Sequence, residues 1–457
     1  MNDEQEDYQK PVIEDVESTP VEEVETTEHP IEKALSVYID HIDSLYKTLF
    51  LTMVAIDKTF KKTKDLVDDF EKQNCEVLGP DEDGHFTVLV HDNYIRKWTK
   101  LQQELKQISL SHKLVPASFL TSFVSQYDAF LGQLIKALFD INPEMLNSSE
   151  RNLSYSQLAE FESITDAREH IVEKEIETVL RKSHAEQFDW LEKKFELPLR
   201  KDLSIWPMFI EVTERRNLFV HTRGIVSSQY IKVCRQHGVK LPEDIKVGSE
   251  LGASIKYMVE AYSCIFDMGV QLAHVLWRKK DTKTKVDADD NLNAIAFELL
   301  LDKKYSLLIR VLDFAFNTIK KFSSEQIRRM LVVNRALAYK WSGNEKAAAR
   351  IINAEDWTAT SDNFKLAEAI ILEDYKQADI LAERIGSDGS IPITAYREWP
   401  LFLKYRERPE FKEIFKKMFN EDLEVISNPI REVVEANPMN ESIKGNDDAS
   451  VSDQDDF

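Results

Sequence analysis

Two residues define the chemistry to look for. Arg216 and His221 lie five positions apart in EVTERRNLFVHTRGIVSSQY, Glu211 to Tyr230. A guanidinium stays charged and forks onto phosphate oxygens. An imidazole exchanges protons near neutrality. Together they can cleave a phosphodiester without a metal. Glu214, Asn217 and His221 fall at i, i+3 and i+7, on one helix face, so Glu214 or Asn217 can orient the imidazole. Arg216 lies about 140° round that helix from His221. A long guanidinium narrows the gap, and a second helix, or a second copy of this one across a two-fold, can close it. Arg215 offers an alternative register, one residue longer.

The pair needs a helix to hold it. Trp206-Pro207 marks a start and Gly224 a stop about one turn past the histidine, so both residues sit near a helix C-terminus. Arg223, on the loop that follows, can touch phosphate. From Arg200 to Lys240 eight cations, among them Lys232 and Arg235, face only Asp202, Glu211 and Glu214. The whole chain carries −22, much of it in two tails. Residues 1–31 hold eleven acids against Lys10, and residues 436–457 hold six against Lys444. A basic island in an acidic protein can attract a polyanion such as RNA.

Other chemistries find little support. Cys75, Cys234 and Cys264 are far apart, with no metal-ligand spacing and no disulfide framework. Reduced thiols point to the cytoplasm. The acidic N-terminus does not read as a signal peptide, and the most apolar run, Leu49 to Ile56, is too short to span a bilayer. There is no glycine-rich phosphate loop, no HExxH and no nucleophile elbow. No metal, cofactor or membrane is therefore expected. His170, His184 and His274 sit in ordinary helical patterns and read as structural.

With 12 Gly and 14 Pro among 457 residues and long amphipathic stripes, the fold class is mostly α. Residues 1–31 read as a disordered acidic tail. Residues 32–113 read as a helical hairpin. Its first arm carries a heptad seam from Leu35 to Phe70, broken only at Thr63, and its second carries Tyr94, Trp98, Leu101, Leu105 and Ile108. Glu76–Leu78 and Phe86–Val90 make a β-hairpin at the tip. The seam fits an intrachain pair or an intermolecular coiled coil. Pro116 marks a break, and 114–280 reads as a bundle, with helices starting at Ser163 and Ser183 and a last one from Glu250 to Trp277. Residues 278–291 read as a charged linker. Residues 288–425 read as helical repeats: Phe297–Phe314, Arg335–Ile352 and Leu366–Ile385 share a small-residue, turn, helix scheme similar to tetratricopeptide repeats, which form protein-binding surfaces. Trp399–Phe419 reads as a final helix, and 426–457 as a second acidic tail.

The stretch from Asp128 to Gly238 resembles a HEPN domain (higher eukaryotes and prokaryotes nucleotide-binding). The matching parts are YDAFLGQLIKALF, EHIVEKEIETVL, EQFDWLEKKF and ERRNLFVHTRGIVSSQYI. The superfamily hallmark, Arg-x4-6-His with a polar residue after the arginine, fits Arg216, Asn217 and His221. The resemblance implies a homodimeric, metal-independent endoribonuclease, as in toxin or antiphage defence systems, with the two motifs meeting at the dimer interface. Arg216 would bind the scissile phosphate, His221 would act as general acid or base, and the products would be a 2′,3′-cyclic phosphate and a 5′-OH. His221-Thr222-Arg223 departs from the His-x-Tyr of one toxin branch. Some members bind without cleaving, so the same resemblance also allows a nucleotide- or RNA-binding adaptor.

Overall fold

A computed structural model describes residues 28–80, 86–148 and 153–424. The fold is mostly α with one small β-hairpin, as the patterning requires. Residues 426–457, and all of the N-terminal tail before residue 28, lie outside the described residues.

The first helix, α1 (Pro30–Asn74), begins inside the span assigned to that tail. His29 caps it and Pro30 fills its first turn, where a missing N–H costs nothing. His29 also stacks on Trp277 at 4.2 Å, and Ile31 is fully buried. The chain is thus anchored before the heptads begin. All eleven seam positions from Leu35 to Phe70 are buried or half-buried, Thr63 included. The strands β1 (Cys75–Pro80) and β2 (Phe86–Val90) pair antiparallel, Cys75 opposite Val90. The second arm, α2 (Ile95–Ile141), returns along the first. Trp98 Nε1 and Gln102 Nε2 both donate to Glu71 Oε1, at 2.9 and 2.8 Å. The seam therefore closes within one chain.

Pro116 does not break this arm. It sits buried inside α2, which runs on into the bundle without interruption. A mid-helix proline removes one backbone bond and costs about 3 kcal/mol. The buried run Leu120, Phe123, Val124 and Tyr127, just beyond it, outweighs that at ~1.5–3 kcal/mol per large apolar side chain. The hairpin and the bundle consequently share a helix, and residues 32–113 are not a separate unit. The first half of α1 belongs to the bundle core as well: Tyr38 donates to the Ile265 carbonyl at 2.6 Å.

The bundle continues with a single turn, α3 (Tyr155–Leu158), then α4 (Ile164–Leu180), α5 (His184–Phe195), α6 (Trp206–Thr222), α7 (Ser228–Gln236) and α8 (Ile255–Lys280). Ser163 caps α4, and Ser183 with Glu186 forms a complete capping box on α5. On α4, Val179 is buried, while Ile171 and Ile176 are half-buried. The last helix of the bundle starts five residues later than expected, because Ser254 is its cap. Leu251 before it lies in a loop bonded back to Gly224. Gly269, on α8, faces Tyr38 so closely that any Cβ there would collide with the phenol ring.

Residues 278–291 are not a linker. α8 reaches Lys280 and α9 (Lys285–Leu301) follows after four residues. Arg278 pairs with Asp289, a carboxylate with no exposed surface. Three antiparallel pairs follow: α9 with α10 (Tyr305–Thr318), α11 (Glu325–Trp341) with α12 (Glu345–Asn353), and α13 (Asp362–Ile371) with α14 (Tyr375–Ile385). They share one turn. The N–H of Lys304, Asn344 and Asp374 donates to the carbonyl of Leu299, Tyr339 and Ala369 at 2.9, 2.9 and 2.8 Å. The residue before each donor, Lys303, Gly343 or Glu373, has positive φ. This is the geometric signature behind the small-residue scheme. Lys304 then reaches back to Asp43 on α1 at 3.0 Å, so these pairs are stitched to the bundle. The final segment is not one helix: α15 (Ile393–Glu398) and α16 (Pro409–Phe419) are separated by short 3-10 turns, since Pro400 and Pro409 can begin a helix but not continue one.

Gly269→Ala is expected to lower stability by about 2–3 kcal/mol through overpacking against Tyr38. The loss should be partly restored by Tyr38→Leu, read from urea unfolding midpoints.

Candidate functional site

The α6 helix has two working faces, and the buried one fixes its orientation. Glu211 is 5% exposed. Its carboxylate accepts from Tyr230 Oη at 2.7 Å, Tyr257 Oη at 2.7 Å and Arg215 Nε at 2.6 Å. Arg215 also donates to the Gly252 carbonyl at 3.0 Å, and its guanidinium lies 3.9 Å from the Tyr257 ring centre. Burial and the neighbouring Glu211 charge push both phenols above their ordinary range. One buried carboxylate thus ties α6 to α7 and α8.

Arg215 is therefore held by Glu211 on the inward face of α6 and does not line the cleft described below. The next residue faces the other way. Arg216 Nη2 donates to Asp128 Oδ2 at 3.0 Å. Asp128 Oδ1 meets His184 Nε2 at 3.0 Å. Asp128 comes from α2 and His184 from the first turn of α5, so one carboxylate clasps three helices. Arg216 Nε is buried without a hydrogen-bond partner.

This clasp forms one wall of a cleft of about 480 Å³. Glu214, Asn217 and His221 line it along α6, with Arg181, Lys182 and Ser183 from the α4–α5 turn and Ser227 and Gln229 from the start of α7. Arg216 and His221 both line this groove, although their spacing sets them about 140° apart on the helix. The expected orientation of the imidazole by a neighbour is absent. His221 is exposed and makes no hydrogen bond to another described residue, whereas Asn217 Nδ2 sits 3.5 Å from Glu214 Oε1. Burial raises the Glu214 carboxyl above the usual range, against the opposing effects of His184, Asn217 and Arg216. Glu214 thus holds a proton to higher pH than an exposed glutamate.

Arg223 occupies the left-handed C-cap of α6 and is exposed, with Gly224 next to it also at positive φ. Lys232 and Arg235 are exposed on α7, and none of these three lines the cleft. The basic island is weaker than a count of charges implies. Arg200 is bound by Glu192 and Asp189, Arg215 by Glu211, and Arg216 by Asp128. The cleft's added positive charge comes instead from Arg181, itself paired with Glu177, and Lys182.

Sequence reasoning missed Asp128 and assigned His184 a structural role. Asp128 was visible only as the first charged residue of α2 after Lys113, next to the apolar stripe at Tyr127. His184 follows a capping serine, a place where a buried imidazole has no obvious purpose. Only the contacts of the Asp128 carboxylate with both His184 and Arg216 give them one. Among the described residues no group of three or more His, Cys, Asp and Glu side chains is arranged to hold a metal ion, no helix is long and apolar enough to cross a membrane, and all three cysteines are free. Comparison with protein-family models, with curated proteins and with solved structures returned no match.

Neighbouring arginines should separate cleanly. Arg215→Ala leaves Glu211 partly unpaired in the core and is expected to cost about 3 kcal/mol. Arg216→Ala, at a partly solvated pair, should cost about 1 kcal/mol. Equal shifts in urea midpoint would contradict the two-faced description of α6.

Proposed function

We propose that the chain is a metal-independent endoribonuclease acting through this cleft. One observation carries the reading: Arg216 and His221, brought from opposite sides of a helical wheel, line the same open groove, with the imidazole free. An RNA backbone in the groove would place a phosphate against Arg216 and the cations of the α4–α5 turn. His221 then takes the proton of the 2′-OH, the 2′-oxygen forms a bond to phosphorus, and the bond to the 5′-oxygen breaks. Glu214, protonated to higher pH than usual, is placed in the same cleft to return a proton to the leaving oxygen. The products are a 2′,3′-cyclic phosphate and a 5′-OH. A homodimer, with two clefts facing each other, is part of this reading. The helical pairs of the C-terminal half supply a surface for a protein partner.

A second reading is favoured by the Asp128 clasp. Arg216 already holds a carboxylate, so a phosphate has to compete for it. In that case the cleft binds RNA or nucleotide without cutting, and the protein is an adaptor.

The test is cleavage of single-stranded RNA in EDTA, with the ends of the products identified. His221→Ala should slow cleavage by ~10²–10⁴-fold, the usual worth of a general acid–base. Asp128→Asn, which loosens the competitor for Arg216, should tighten RNA binding. Salt-sensitive RNA binding with no product would leave the adaptor reading in its place, and cleavage indifferent to His221→Ala would overturn the role given to His221.

A further inference from the structure

A second cavity, of about 260 Å³, opens where α8 meets α9 and α10. Leu292, Val311, Phe314, Ala315 and Ile319 make its walls apolar. Two polar side chains from α8 break that lining. His274 is 4% exposed, and neither ring nitrogen has a hydrogen-bond partner. Gln271, 6% exposed, donates its amide to Asp267 at 2.7 Å, which leaves Oε1 without a partner. Buried polar groups are normally satisfied, and each one left open costs about 1–3 kcal/mol. Burial, then the nearby Arg278 charge, hold the His274 imidazole down to about 3. The ring is therefore neutral, with one nitrogen to donate and one to accept.

The mouth has the opposite character. Lys279, Lys285, Lys320 and Lys321 ring it, all exposed and none in an ion pair among the described residues. Arg278 is already committed to Asp289. No carboxylate lines the cavity. Four unscreened ammonium groups round one opening repel each other, in a chain whose net charge is −22. An apolar slot with a hydrogen-bonding edge at its wall and cations at its mouth matches a flat heteroaromatic ring with an anionic tail. A plain acyl chain would leave His274 and Gln271 open.

We propose that this cavity binds a mononucleotide, its base against His274 and Gln271 and its phosphate on Lys279, Lys285, Lys320 and Lys321. The site is separate from the cleft at Arg216. It joins the bundle, through α8, to the first helical pair, through α9 and α10.

Isothermal titration of the full chain with AMP tests this, with adenosine, ribose 5-phosphate and laurate as comparison ligands. AMP should bind saturably, and adenosine and ribose 5-phosphate at least about tenfold more weakly, since each lacks half of the match. The double variant Lys320→Glu/Lys321→Glu, at exposed positions, should weaken AMP by at least about tenfold while leaving the thermal unfolding midpoint in place. His274→Phe should weaken AMP and adenosine together, and Arg216→Ala should change neither. The proposal is overturned if AMP fails to saturate at millimolar concentration, if laurate alone binds, or if AMP binding is lost with Arg216→Ala and kept in the lysine variant.

Discussion

The arrangement of the cleft rests on one buried carboxylate. Glu211 accepts three hydrogen bonds, from Tyr230, Tyr257 and Arg215. A buried charge is tolerated only when it is paired and bonded in this way. The three donors come from α7, α8 and α6 itself, so the network sets both the position and the rotation of α6. Adjacent residues on a helix point about 100° apart. Once Arg215 is drawn inward, Arg216 must turn toward α2 and α5, where Asp128 meets it and also holds His184. The chemistry on the open face follows from the electrostatics of the closed one.

A second constraint is continuity. Both long helices pass from the projecting hairpin into the bundle, so the hairpin is rooted in the core that holds the cleft. α1 is seated by His29 on Trp277 at one end and by Tyr38 against Gly269 further along. α2 crosses Pro116 and then supplies Asp128. Asp43 binds Lys304 and Tyr262, which ties α1 to the first helical pair of the C-terminal half. Arg310 lies 3.4 Å from Asp267, a carboxyl that burial pushes up to about 6. The base of the hairpin, the bundle and the helical pairs thus share one hydrophobic core.

Local signals were the legible ones. The heptad seam, the capping serines at 163 and 183, the β-hairpin and the three repeated turns depend on neighbours within a few residues, and each is written in the chain at that range. The readings that failed were those where distant packing competed with a local rule. Pro116 is a breaker by its own chemistry, yet aromatic burial after it carries the helix through. The run of charges at 278–291 has the composition of a linker, but Arg278 and Asp289 neutralise each other inside the fold. At Leu251 the apolar period continued past the true start of α8, because the same side chain packs a loop against the small cluster around Tyr230.

By itself, the chain determined the mostly helical architecture, the helix that carries Arg216 and His221, and the turn of each helical pair. These depend on periodicity, caps and turn residues, which act over one or two turns. Tertiary structure alone decided which arginine faces the cleft. It also brought Asp128 to Arg216 across 88 positions of sequence and to His184 across 56, and left His221 without the partner its own helix could have offered. The reason is that a carboxylate's choice among several cations is made by burial and by the packing of distant helices, and neither is encoded in spacing.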